Sequence, residues 1–162
     1  GGPSIYTEVP RDVLVTASRP GGAWGNSSEE DRNRRSVYIF VKRSLHEPFL
    51  SAFDWADTDN TCDVRFVTTV PTQTLTLMNS KFLNDSAETL AKHVAEVAPG
   101  DATAQIRHVL YRATHRKPTD EEVQDGLDLI KELKEKTKAS QDDAMQRFCL
   151  LVLNLNEFLY LD

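Results

Sequence analysis

The carboxy-terminal run from Met145 to Leu161, the most apolar stretch in the sequence, constrains this chain more than any other feature. Met145, Phe148, Cys149, Val152, Leu155 and Leu159 recur at helical spacing, and Leu150, Leu151, Leu153 and Phe158 add apolar groups on the other sides. A helix apolar on nearly all sides must be enclosed by protein or lipid. Arg147, Asn154, Asn156 and Glu157 interrupt the run, and it is too short for a membrane span. It therefore reads as the central helix of a helical core.

The residues before it supply helices to cover that core. Leu75, Met78, Phe82, Leu83, Ala87, Leu90, Ala91, Val94 and Val97 fall on one face. They predict one long helix from about Thr72 to Ala98, kinked near Asn79-Ser80 or Asn84-Asp85 and ended by Pro99-Gly100. Asp101 caps the next helix, which buries Ala102, Ile106, Val109, Leu110 and Ala113 and stops before Lys117-Pro118. Thr119 with Glu122 is a capping box that opens a helix with Val123, Leu127, Ile130 and Leu133 inside. Ser140 caps the last helix, with Asp142 and Asp143 in the first turn, where the helix dipole favours them.

The first half is less regular. Residues 1–35 have no sustained period and are punctuated by Pro3, Pro10, Pro20, Gly21, Gly22 and Gly25. Ile5, Tyr6, Val13, Leu14, Val15 and Trp24 are too apolar for a free tail, so an extended arm is expected, with a helical turn near Arg11 to Ala17 and Trp24 as its anchor. In residues 36–70, Val37-Tyr-Ile-Phe-Val41 has the composition of a strand, but no second run of that quality follows to pair with it. An extended segment or an irregular helix stays open there. Pro48 suits the first position of a short helix through Phe53. Asp54 to Asp63 is an acidic loop. Asp57, Asp59, Thr61 and Asp63 alternate like the start of a calcium loop, but Cys62 stands where the sharp turn needs Gly and Thr68 where a bidentate Glu is needed. The whole is read as a single domain over 1–162, mainly α. It has about four longer helices in a core at 71–162, an extended amino-terminal arm and at most one short strand pair.

Charge and motif spacing exclude several functions. The net charge is -6, and basic residues alternate with acidic ones, which argues against a nucleic-acid binder. Arg32, Arg34, Arg35, Lys42 and Arg43 are flanked by Glu29, Glu30, Asp31 and Glu47, so solvated or paired charges are expected. The chain has no Gly-rich phosphate loop, no Gly-x-Ser-x-Gly elbow, no Cys-x-x-Cys and no Cys-x-x-Cys-His haem attachment. His46, His93, His108 and His115 read as surface histidines, and no metal site is assigned. Cys149, in the apolar helix, reads as a buried thiol. The polar residues that would gather in a cleft, if there is one, are Asp54, Asp57, Arg65, Gln73, Asn79 and Glu157. Pairing with arginine is the commoner fate of such carboxylates than acid catalysis.

The order of several short motifs is nonetheless distinctive. Gly1-Gly-Pro-Ser4, Arg34-Arg-Ser-Val-Tyr38, Lys42-Arg43, Phe53-Asp54, Cys62 with Arg65, Thr69-Val-Pro-Thr-Gln73, Leu77-Met-Asn79, Arg116-Lys-Pro-Thr119 with Glu122, and Asn156-Glu-Phe-Leu-Tyr160 follow one another. Together they resemble the planctomycete-type cytochrome-associated carboxy-terminal domain of unknown function, number fifteen fifty-three. The resemblance implies an excised piece of a larger multidomain protein, and the opening Gly-Gly-Pro without Met agrees with that. It implies a periplasmic or extracellular location, and an oxidising compartment permits a Cys62–Cys149 disulfide. It implies that any c-type haem belongs to another module, and it carries over no catalytic residue. The expected role is a non-catalytic module that docks on other domains of its own polypeptide or binds an extracellular ligand, without nucleic acid or membrane insertion. Two readings compete with it: a hydrolase or polysaccharide-active module with a polar cleft near Asp54, Arg65 and Glu157, and a docking module for electron transfer.

Overall fold

The structure, a computed structural model, describes residues 2–15, 24–56, 61, 64, 68 and 70–160. Its elements are α1 (Arg11–Val15), α2 (Glu29–Arg32), a 3₁₀ turn (Ser36–Tyr38), α3 (Pro48–Ala52), α4 (Pro71–Asn79), α5 (Lys81–Val97), α6 (Ala102–Thr114), α7 (Asp120–Thr137), α8 (Gln141–Val152) and α9 (Asn156–Leu159). The fold is mainly α, and strand pairing among the described residues is limited to isolated bridges. The chain divides into two compact units, 1–73 and 74–162. No helix among the described residues is long and apolar enough to cross a membrane.

In residues 74–162 the local signals set the helix ends. Ser80 interrupts the long apolar pattern and separates α4 from α5, so five longer helices replace the expected four. Asp101 accepts a hydrogen bond from the Ala104 amide at 2.9 Å and starts α6. His115, in the left-handed region at φ 54°, ends that helix. Thr119 and Glu122 form the capping box of α7, and Ser140 and Asp143 form that of α8. The packing pairs are α5 on α8, α7 on α8, α6 on α7 and α5 on α6. Ala91, Val94, Ile106, Val109, Phe148 and Val152 lie in the resulting core. Gly126 lets α7 come close: a Cβ there would stand 2.9 Å from Ile106 Cγ2 and 3.0 Å from Phe148 Cε2.

The carboxy-terminal run departs from the single enclosed helix that its composition suggests. Met145, Phe148, Cys149 and Val152 are buried, but Leu151 is 44% exposed and Phe158 42%. The helix also stops at Val152. Asn154 is the physical reason: its Nδ2 donates to the Leu150 carbonyl at 2.7 Å, and its amide donates to Leu151 O at 2.9 Å, closing the last turn. Leu155 is then extended and begins α9. Cys149 is a fully buried free thiol, with its pKa pushed up to about 12 by burial. Cys62, the partner a disulfide would need, lies outside the described residues. So do most of the acidic loop and its calcium-like spacing at Asp57, Asp59 and Asp63.

In residues 1–73 the strand-like run finds its partner in the amino-terminal arm. The Ile5 amide donates to Tyr38 O and the Phe40 amide to Ile5 O, both at 2.8 Å, making a parallel bridge of Ile5 with Ile39. The arm is held by aromatic contacts. Tyr6 meets Trp24 edge-on at 5.5 Å and Phe40 at 5.1 Å, and Trp24 Nε1 donates to Thr7 O at 2.8 Å. Gly25 must be small here, because a Cβ would stand 2.7 Å from the Tyr6 ring. Within the basic stretch, Arg34 lies 3.6 Å from its neighbour Asp31, and Arg32 lies 3.3 Å from Glu8 in the arm.

Candidate functional site

Four of the six cleft residues can be placed. Asp54 follows α3 with φ 56°, a left-handed conformation that aspartate tolerates. Its carboxylate accepts from the Thr68 amide at 2.6 Å and from the Thr68 hydroxyl at 2.9 Å. Gln73, 2% exposed at the start of α4, donates from Nε2 to Thr68 O at 3.0 Å and accepts from the Val70 amide at 3.3 Å. Asp54 and Gln73 therefore converge on Thr68 and hold the chain that leads into α4. Asn79, at the end of α4, donates to the Leu75 carbonyl four residues back at 2.9 Å. Asp57 and Arg65 lie outside the described residues.

Glu157 takes part in a different group. Arg116 Nε donates to Glu157 Oε1 at 2.7 Å and Nη2 to Oε2 at 3.0 Å. The same guanidinium donates from Nη1 to Glu122 Oε2 at 2.9 Å. Glu122 in turn accepts from the Thr119 amide at 2.7 Å, closing the capping box. One guanidinium thus grips two carboxylates by its two edges, the strongest geometry available to arginine. It joins the loop after α6, the first turn of α7 and α9. Bonds from Arg116 and Thr119 draw the Glu122 pKa down to about 2. Arg116 likewise lowers Glu157, and the two carboxylates raise Arg116.

The paired carboxylates account for motifs that sequence reading could only string together. Arg116-Lys-Pro-Thr119, Glu122 and Glu157 are parts of one clamp. Likewise Arg34 Nη1 donates to Pro3 O at 3.2 Å, and its guanidinium lies 4.3 Å from the Tyr38 ring centre. A Cβ on Gly2 would come within 2.8 Å of Arg34 Nη2, so the opening Gly-Pro and the Arg34-to-Tyr38 motif fit together.

Among the described residues of 1–73 there is a shallow hollow of about 10 Å³, room for about one water molecule. Its lining is mostly apolar, with Ile39, Phe40, Leu45 and Trp55, and also includes Lys42, His46 and Glu47. Glu47 is not free to react there. Its carboxylate caps α3, accepting from the Leu50 amide at 2.7 Å. Burial raises its pKa, while backbone bonds from Leu50 and Phe49 act the other way. Sequence reading missed Thr68 and Glu47. A Glu before a Pro-initiated helix was the available signal for Glu47; none marked Thr68.

A family model described as PSD1, protein of unknown function (DUF1553), matches residues 1–130. Asn156 to Tyr160, one of the motifs behind the resemblance, lies beyond the matched range. Neither the curated proteins nor the solved structures gave a match to the chain.

Proposed function

The chain belongs to the PSD1 family of unknown function (DUF1553), and from that premise we propose that it is a non-catalytic structural or binding module of a larger exported protein. One observation carries this reading. Every candidate polar residue that can be placed is engaged in a structural hydrogen bond: Asp54 and Gln73 on Thr68, Asn79 on Leu75, Glu157 on Arg116. A general acid or base needs a titrating group poised near the working pH. Glu157 and Glu122 are moved away from it, toward permanent ionisation by Arg116.

The partners in this reading are other domains of the same polypeptide or an extracellular ligand, and the location is periplasmic or extracellular. Both rest on the family resemblance. Any c-type haem would sit in another module, since the sequence has no Cys-x-x-Cys-His. Leu75, Met78 and Phe82 are large apolar side chains left exposed, as a docking surface requires.

Titration of this chain with the remainder of its polypeptide tests the proposal. Saturable binding, weakened by Phe82→Ser, is the expected result. Turnover of a glycan or ester substrate that disappears in folded Asp54→Asn or Glu157→Gln variants would overturn it in favour of the hydrolase reading.

A further inference from the structure

The helix ends in residues 74–162 are not alike. α6 and α7 stop at residues in the left-handed region, His115 and Lys138, both at φ 54°. α8 has no such stop. Leu153 is still right-handed, at φ -69° and ψ -7°, and the departure into extended backbone comes at Leu155, at φ -65° and ψ 140°. The bend Leu153-Asn-Leu155 contains no Gly, no Pro and no residue with positive φ. Leu155 and Leu159 also continue the helical spacing of Met145, Phe148, Cys149 and Val152. The local pattern therefore favours a helix running straight through the bend.

Two side chains hold the bend. Asn154 Nδ2 donates to Leu150 O at 2.7 Å, which is the acceptor the Asn154 amide would take in a continuous helix. That amide goes to Leu151 O at 2.9 Å instead. Oδ1 of the same side chain is shielded from solvent and has no hydrogen-bond partner among the described residues, a cost of the bent state. The second holding group is Glu157. No residue of α9 is buried; α9 packs on α6, and Arg116 grips Glu157 at 2.7 and 3.0 Å.

We propose that residues 153–155 are a two-state hinge whose straightened state exchanges α9 between two copies of this chain. Straightening joins α8 and α9 into one helix about 28 Å long and carries Glu157 away from its own Arg116. The segment that fits the vacated Arg116 is the one the structure shows on it, Asn156 to Leu159, and a second copy brings that same segment. Exchange remakes the contacts of α9 between chains, so the balance lies between the cost of association and the relief at Asn154 with its added helical bonds. The two forms are alternative packings of one sequence. The bent monomer prevails in dilute solution, and the exchanged dimer grows with concentration.

Sedimentation and light scattering of the whole chain over a range of concentrations test this, with circular dichroism to check folding. Asn154→Leu frees the Leu150 carbonyl and removes the unmet Oδ1, and should give a dimer at least about tenfold tighter than that of wild type. Asn156→Pro suits the bent state, because Asn156 is the first residue of α9 and follows an extended one, but it breaks the straight helix. Adding it to Asn154→Leu should abolish the dimer. Arg116→Glu and Glu157→Arg chains each lose the grip alone, whereas exchange restores an opposite-charge pair at both sockets. Their mixture should therefore form a one-to-one heterodimer. No dimer of Asn154→Leu at millimolar concentration, a dimer that survives Asn156→Pro, or a charge-variant mixture that pairs no better than either chain alone would each overturn the hinge.

Discussion

Among the described residues, thirteen apolar side chains of 74–162 form one buried cluster, whereas the cluster in 1–73 has one buried member, Leu45, with Val13, Leu14 and Trp24 partly buried around it. The first kind of core is held by area removed from water, which is non-directional and tolerant of detail. Among the described residues of 1–73, Ile5, Val9 and Leu45 are the buried apolar side chains. Order there depends on individual contacts: the Ile5 bridge, the Trp24 indole on Thr7, the Arg34 guanidinium on Pro3, and the Asp54–Thr68–Gln73 group. Such contacts fail one at a time, because each needs its own geometry. The comparison explains why many of the polar residues that look functional in this sequence serve as fasteners in the structure.

The largest expected effect lies in the helical core. Phe148→Ala removes a ring that is 3% exposed and should cost about 3–5 kcal/mol in urea unfolding. A loss below about 1 kcal/mol would mean that residues 74–162 are not held chiefly by burial, and the contrast would break. Next comes Gln73→Leu, which leaves Thr68 O and Val70 N without their partner. A cost of about 1–3 kcal/mol is expected. Hydrogen exchange would sharpen the contrast, with the Val70 amide exchanging faster while amides in α5 and α8 keep their rates.

Gly126→Ala comes third. Alanine should gain about 1 kcal/mol of helix propensity, but its methyl would stand 2.9 Å from Ile106 and 3.0 Å from Phe148, both buried in the core, so one of them must shift. Overpacking of that kind costs about 1–3 kcal/mol, so a net loss of up to about 2 kcal/mol is expected in thermal unfolding.

The smallest effect is expected at Arg116→Met, because all three members of that clamp reach water and are screened by salt. Its signature is a pH dependence. The folded-state pKa of Glu122 lies below its unfolded value, so the clamp's contribution is complete above the unfolded carboxylate value of about 4.3. It is lost as pH falls toward the folded value of about 2. The stability gap between wild type and Arg116→Met should therefore be constant near neutrality, narrow below about pH 4, and shrink in high salt. A gap that widened on acidification would refute the clamp.

The contrast also decides what was legible beforehand. In residues 74–162 the caps at Asp101, Thr119 and Ser140 stand where the sequence puts them. The break between α4 and α5 falls at one of the two positions expected. In residues 1–73, α1 and the Pro48 helix were readable, and Trp24 is the anchor its composition suggested. The pairing of the strand-like run was not, because its partner, the arm, has no strand pattern of its own. Among the candidate site residues, Glu157 was foreseen as an arginine pair, but only the folded chain names Arg116 as its partner.

What the sequence determined by itself is therefore local: helix ends and buried faces, since a cap bonds within three residues and an apolar stripe repeats every turn. The tertiary structure alone decided which distant groups meet. Arg116 reaches Glu157 forty-one residues on. The Ile5 amide finds Tyr38, and the His93 ring comes beside His108. Those meetings depend on the rotational phase and spacing of packed elements, which side-chain volumes in the core fix and no short stretch of sequence encodes.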